Sequence, residues 1–275
     1  MMSRRFFAAA AVLALSATAA WADAKDDLQA AVKKLGDAPS YSFTSTTDNQ
    51  GGPGGGATTG KAEKGGYATL SVPAFAFGGD APPPIEVVMK GDKTVVKMAD
   101  GWKTTVELAT AADAATAAGG GGAGGFNFGP EQSALIAVAN VALPAATAKD
   151  ATAKLENVKK TDDGFSGDLS ADAVKAMLAF RGFGAGAPAV EISGPKGSIK
   201  VTVKDGSITK MVLQLSGSMD FGGGQPFDLN RTTTVEIKDV GTTKVTVPED
   251  AKKKLDAPAA APAPRPAGPA TRPAG

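Results

Sequence analysis

Residues 197–217 read GSIKVTVKDGSITKMVLQLSG, and this stretch decides the fold class. Ile199, Val201 and Val203 alternate with Lys200, Thr202 and Lys204, the period-two pattern of a strand with one buried and one wet face. Asp205-Gly206 follows, a pair that tolerates positive φ and makes a tight hairpin turn. The return strand sets Met211, Leu213 and Leu215 on one face and Lys210 and Gln214 on the other. Parallel strands are buried on both faces and read as continuous apolar runs, so this hairpin indicates an antiparallel sheet.

The same alternation extends in both directions. Downstream, Leu229 to Val240 sets Arg231, Thr233, Val235 and Ile237 against Thr232, Thr234, Glu236 and Lys238. Val245 and Val247 precede Pro248, which starts a short helix to Leu255. Upstream, Glu156 to Leu169 reads as a hairpin turning at Asp162-Asp163-Gly164. Ser170 then caps a helix to Phe180, with Val174, Met177 and Leu178 as its buried stripe. Earlier helices are expected at Pro130 to Asn140 and Thr147 to Leu155, after a glycine tract at Gly119 to Gly125.

Nearer the N-terminus, Tyr41 to Asp48 alternates into a Gly-rich tip at Gly51 to Gly56, and Gly66 to Val72 leads away from it. A meander follows over Ile85–Lys90, Lys93–Ala99 and Trp102–Leu108, parted by Gly91-Asp92 and Asp100-Gly101. Ile85, Val87 and Met89 share a face, which Val96 and Met98 and then Trp102, Thr104, Val106 and Leu108 can continue. The domain opens with a helix from Asp26 to Leu35. Leu28, Ala31, Val32 and Leu35 form one stripe, acids sit at its start, Lys33 and Lys34 at its end, and Gly36 offers the cap.

The two ends of the chain differ from this middle. Arg4 and Arg5 precede an apolar run from Phe6 to Ala20, and small-residue sites follow at Ala20-Trp21-Ala22 and Ala22-Asp23-Ala24. That is the pattern of a cleavable secretory signal peptide over residues 1–24, shorter than the roughly 20 apolar residues of a spanning helix. Ser3-Arg4-Arg5-Phe6-Phe7 also resembles a twin-arginine export motif, although paired arginines are ordinary in signal peptides and general secretion is the simpler expectation. Export to the periplasm or the exterior follows. From Ala257 on, the chain holds only Ala, Pro, Gly, Arg and Thr, with Arg-Pro-Ala-Gly at 265 and again at 272, the composition of an extended, disordered tail. Residues 25–256 then form one β-rich domain.

Composition excludes several function classes. The chain has no cysteine, hence no disulfide, thiolate metal site or lipid-modified N-terminal Cys. It has no histidine, the commonest general base and metal ligand. Signal cleavage removes Arg4, Arg5 and Asp23 from 29 basic and 28 acidic residues, which leaves 27 of each. With no basic block, nothing in the charge suits nucleic acid. Gly55-x4-Gly60-Lys61 imitates a phosphate loop but has Ala62 where Ser or Thr is needed, and reads as a hairpin tip between strands. In Ser193-Gly194-Pro195-Lys196, Gly and Pro forbid the helical turn that would set Lys on Ser. Asp162-Asp163-Gly164 lacks the other oxygens of a calcium loop. No catalytic residue, metal site or cofactor is expected.

The apolar inventory is more informative. Met89, Met98, Met177, Met211 and Met219, with Trp102, Phe165 and Phe180, fall on faces expected to point inward. Methionine adapts its shape and suits a surface that receives varied apolar ligands, though the same residues can simply fill a core.

In order, the chain shows a signal peptide, a short helix and a meander containing VVMKGDKTVVKMADGW (87–102). Central helices, FSGDLSADAVKAML (165–178), the 197–217 hairpin and TTTVEIKDVGTTKVTVPEDAKKKL (232–255) complete it. This order resembles the LolA/LppX-like group of envelope proteins, bacterial lipoprotein carriers and their lipid-binding relatives. The resemblance implies an α+β fold: a curved antiparallel β-sheet, an incomplete barrel, with helices packed on its concave side. It further implies an apolar cavity for the acyl chains of a lipid or an acylated protein, transient contact with a membrane or receptor, and a monomer. Some relatives carry an N-terminal lipid on cysteine; this chain, lacking one, resembles the soluble carriers. The residues expected to line the cavity are Met89, Met98, Trp102, Phe180, Met211, Leu213 and Leu215. A non-enzymatic envelope scaffold with a fully packed core is the competing expectation.

Overall fold

The computed structural model describes residues 23–50, 55–74, 83–117, 129–179, 191–220 and 226–257. Helix α1 covers residues 23–37. Strands β1 (Ser40–Gln50), β2 (Gly56–Glu63), β3 (Tyr67–Val72), β4 (Ile85–Lys90), β5 (Lys93–Met98) and β6 (Gly101–Thr104) follow. Helices α2 (Thr105–Ala117), α3 (Pro130–Ala139) and α4 (Pro144–Thr152) lead to β7 (Leu155–Thr161) and β8 (Gly164–Leu169). Helix α5 (Ala171–Leu178), strands β9 (Glu191–Lys204), β10 (Ser207–Asp220) and β11 (Phe227–Lys238), and helix α6 (Glu249–Asp256) complete the chain.

Among the described residues, eleven strands form one antiparallel sheet in the order β6-β5-β4-β3-β2-β1-β11-β10-β9-β8-β7. Two meanders thus meet at a seam, where Phe43 of β1 faces Ile237 of β11 and Asn49 faces Arg231. The sheet curves without closing, and β6 and β7 are its edges. Edge strands risk pairing with other chains. Here β6 has only four residues, and β7 carries Lys159, Lys160 and a bulge at Asn157, whose φ is 51°.

The hairpin that decides the class forms as its residues dictate. Asp205 and Gly206 both take positive φ, 52° and 70°, and Met211 faces Val201 on one side and Val235 on the other. This row continues to Phe165 of β8 and makes the floor of the main core. α1 presses Leu28 and Leu35 into it, each burial worth about 2 kcal/mol. α3, α4 and α5 add Ala134, Ala148 and Val174 to the same cluster, so the helices fill the concave side. α5 begins as its sequence requires, with the Ser170 hydroxyl accepting from Ala173 N–H.

α6 lies on the opposite, convex face. Val247, Ala251 and Leu255 cover Val88, Val95 and Trp102 there in a second small cluster. Lys90 pairs with Asp256 at 2.8 Å and Lys93 donates to the Leu255 carbonyl at 2.8 Å, which fixes the helix to the β4–β5 hairpin. Among the described residues no single helix is long and apolar enough to cross a membrane.

Three expectations are corrected. The stretch Gly55 to Lys61 is not a hairpin tip: from Gly56 it belongs to β2, a full strand between β1 and β3. The strand from Trp102 stops at Thr104, where α2 starts. Thr104 and Glu107 form a reciprocal cap, the Glu107 carboxylate accepting from Thr104 N–H at 2.8 Å and the Thr104 hydroxyl accepting from Glu107 N–H at 3.1 Å. Val106, expected on the inner face of a strand, is instead an exposed helix residue, while Leu108 is buried. Finally, Trp102 pairs with Lys97, which places it on the face of Val95 and away from Val96 and Met98.

Candidate functional site

The concave face is built from alternate residues of every central strand. On β10, Met211, Leu215 and Met219 are buried, while Leu213 between them stays half-buried. Met89 of β4 and Met98 of β5 point to the same side and are also half-buried against the main core. Four strands separate β4 from β10, so these two methionines and the β10 row occupy opposite flanks of the face. Trp102 lies beneath α6 on the convex side, with Lys97 Nζ 5.6 Å from its ring centre. Phe180 lies outside the described residues.

α5 roofs the β9–β10 part of this face. It sits low because Gly197 and Gly217 present no side chain: Val174 Cγ2 is 2.7 Å from where a Cβ of Gly197 would be, and Leu178 Cδ1 is 3.3 Å from that of Gly217. Met177 of α5, with Leu135 and Val138 of α3, stays half-buried on the core side. Near the other end, Tyr41 is buried, bonds the backbone of Ala145 in α4, and has its pKa raised by that burial.

The β1–β11 seam breaks the apolar row. Two consecutive cross-strand pairs on the concave side are polar: Thr47 with Thr233, and Asn49 with Arg231. The threonine hydroxyls lie 3.2 Å apart. Arg231 Nε donates to Asn49 Oδ1 at 3.1 Å, and its Nη1 donates to the Met177 carbonyl of α5 at 3.2 Å. Burial pulls the guanidinium below the usual arginine pKa. Among the described residues no carboxylate forms an ion pair with it. The face of Arg231 and Thr233 was readable from their register with Val235 and Ile237. What the sequence did not single out is that this face lies under α5.

The convex face offers two open grooves. One, of about 310 Å³, is lined by Asn157, Lys159, Asp168 and Lys200; the other, of about 550 Å³, by Lys196, Gln214, Asn230 and Thr232. The second is the more polar of the two, and Leu215 and Arg231 also contribute to its lining. Ser193, of the Ser-x-x-Lys stretch, sits in β9 near the Ser218 carbonyl at 3.5 Å.

No protein-family model matches the chain, and no curated protein matches its sequence. Among solved structures it is similar to the Mycobacterium tuberculosis lipoprotein LppX, with a TM-score of 0.42 and 10% identity over 81% of this chain and 97% of that one. It is likewise similar to LprF from Mycobacterium bovis, with a TM-score of 0.43 and 11% identity over 83% of this chain and 97% of that one. At these identities and TM-scores no residue role carries across from either.

Proposed function

We propose that this is an exported carrier or sensor that holds the acyl part of a lipid or lipoprotein against the concave face of its sheet. The observation that carries this reading is the half-buried state of Leu213, Met177, Leu135, Met89 and Met98 on the side the helices cover. A filled core buries such side chains fully, as it does Met211 and Met219. Helices would part from the sheet to admit a chain, and uptake would be driven by apolar burial of about 0.8 kcal/mol per CH₂. The function is binding and not catalysis, in keeping with a chain that has no histidine or cysteine.

Export to the periplasm or exterior rests on the signal peptide. Cleavage after Ala22 suits the fold better than cleavage after Ala24, because Ala24 belongs to α1 and is buried in the main core. The intact mass of the exported protein distinguishes the two sites.

Native mass spectrometry of the purified protein, with titration of a fluorescent fatty acid, tests the binding function. Bound lipid or saturable probe uptake is expected; neither one appearing would sink it. A second reading, a packed envelope scaffold, is favoured by the full burial of Val96, Val201 and Met219 on the same face and of Leu108 of α2 in the core against it. It predicts no acyl uptake and an envelope association that is lost on deleting residues 257–275.

A further inference from the structure

We propose that Arg231 is the counter-ion for the anionic oxygens, carboxylate or phosphate, of an amphiphile whose chains lie on the concave face; this deepens the acyl-binding reading and rests on it. The concave rows on either side of the seam are largely apolar, with Leu213 and Leu215 on β10 and Leu70 on β3. Arginine is expensive in such a place unless an anion accompanies it. Its two acceptors among the described residues, Asn49 Oδ1 and the Met177 carbonyl, are both neutral. They occupy two of its five N–H groups, fix the plane of the guanidinium, and leave three donors in a fork suited to an oxyanion.

The neighbouring pair adds to this. Between the Thr47 and Thr233 hydroxyls, 3.2 Å apart, one proton makes their mutual bond and the other remains to be donated. Arg231 and Thr233 are two residues apart on one strand, so both donors face the same side of the seam. The depression of the arginine's pKa comes from burial, and among the described residues no carboxylate pairs with it. An anionic headgroup there would leave the attached chain to run over Leu213 under α5.

The test compares palmitate, its methyl ester and hexadecanol as competitors of a fluorescent fatty-acid probe on the full exported chain, with wild type, Arg231→Gln and Arg231→Lys. Wild type is expected to prefer palmitate over either neutral ligand by about tenfold or more, the range of charge-assisted hydrogen bonds. Arg231→Gln should bring the three affinities together, and Arg231→Lys should keep part of the preference. Equal affinities in wild type overturn the proposal while acyl binding stands; no binding of any chain removes the acyl reading itself. Dodecyl phosphate and inorganic phosphate separate the sources of the anion. Displacement by dodecyl phosphate alone supports an amphiphile, whereas equal displacement by inorganic phosphate makes this a free-anion site and overturns it. Should Arg231→Gln not fold by circular dichroism, the wild-type ester comparison still decides.

Discussion

The ring of Phe43 fills the space where Gly60 would carry a Cβ, its Cε1 and Cζ each 2.6 Å from that point. The two residues face each other across β1 and β2, and the aromatic ring covers the bare backbone of its neighbour. Gly60→Ala must therefore displace the ring, at a cost of about 1–3 kcal/mol typical of overpacking. The urea midpoint should fall accordingly, and Phe43→Leu introduced with it should give less than the sum of the two single losses. Strict additivity would show that ring and glycine are not in contact.

The Thr104–Glu107 cap decides where a strand becomes a helix. Thr104→Ala removes one partner and should cost about 1 kcal/mol. Glu107 also receives Lys254 of α6, whose hydrogen bond is the main cause of its lowered pKa. Glu107→Gln should therefore keep much of the cap yet loosen α6. Emission from Trp102, buried under that helix, reads this directly: a red shift is expected for Glu107→Gln and none for Thr104→Ser.

Asp37 accepts hydrogen bonds from Lys33 and from Lys64, the latter at 2.8 Å. These bonds, that of Lys33 foremost, bring its pKa down to about 2. A carboxylate with a folded pKa below its unfolded one stabilises the fold above the unfolded value, near 4. That contribution fades as pH falls from about 4 through about 2. Asp37→Asn should flatten the stability profile in this window and leave the profile above it parallel to wild type. An NMR titration midpoint for Asp37 near 4 would contradict the assignment.

Leu213 and Met211 share a strand and a face but not an environment. Met211→Gln buries an amide in a closed apolar site and should lower stability by about 2–4 kcal/mol. Leu213→Gln sits at a half-open position and should cost less than about 1.5 kcal/mol, while fatty-acid probe uptake falls several-fold. Unchanged uptake in folded Leu213→Gln would move the site away from the β10 row.

Much of this fold is legible in local residue chemistry. Asp205-Gly206 makes its turn and Ser170 its cap because short-range geometry alone rewards those residues. β2 is different: Gly56, Ala57, Gly60 and Ala62 have little strand preference, and the segment is a strand because Phe43 needs a glycine opposite it. The cap of α2 was present in the sequence as Thr-x-x-Glu, hidden by the apolar alternation that runs through it. Trp102 was misplaced because its face follows from the register across a two-residue turn, in which Met98 pairs with Gly101. For the candidate site, the β10 row was readable from its period. The polar quartet around Arg231 was not, since its significance comes from α5 lying above it.

The seam between β1 and β11 has a consequence for how the chain folds. Every other strand pair joins sequence neighbours, whereas Ser42 and Lys238 meet from 196 residues apart. Local hairpins form fast and long closures form slowly, so the two meanders should assemble separately and zip together last. Thr47, Asn49, Arg231 and Thr233 become neighbours only at that final zipping. A half-folded chain would have no assembled headgroup site, and cargo bound there would act as a clasp that slows reopening of the seam.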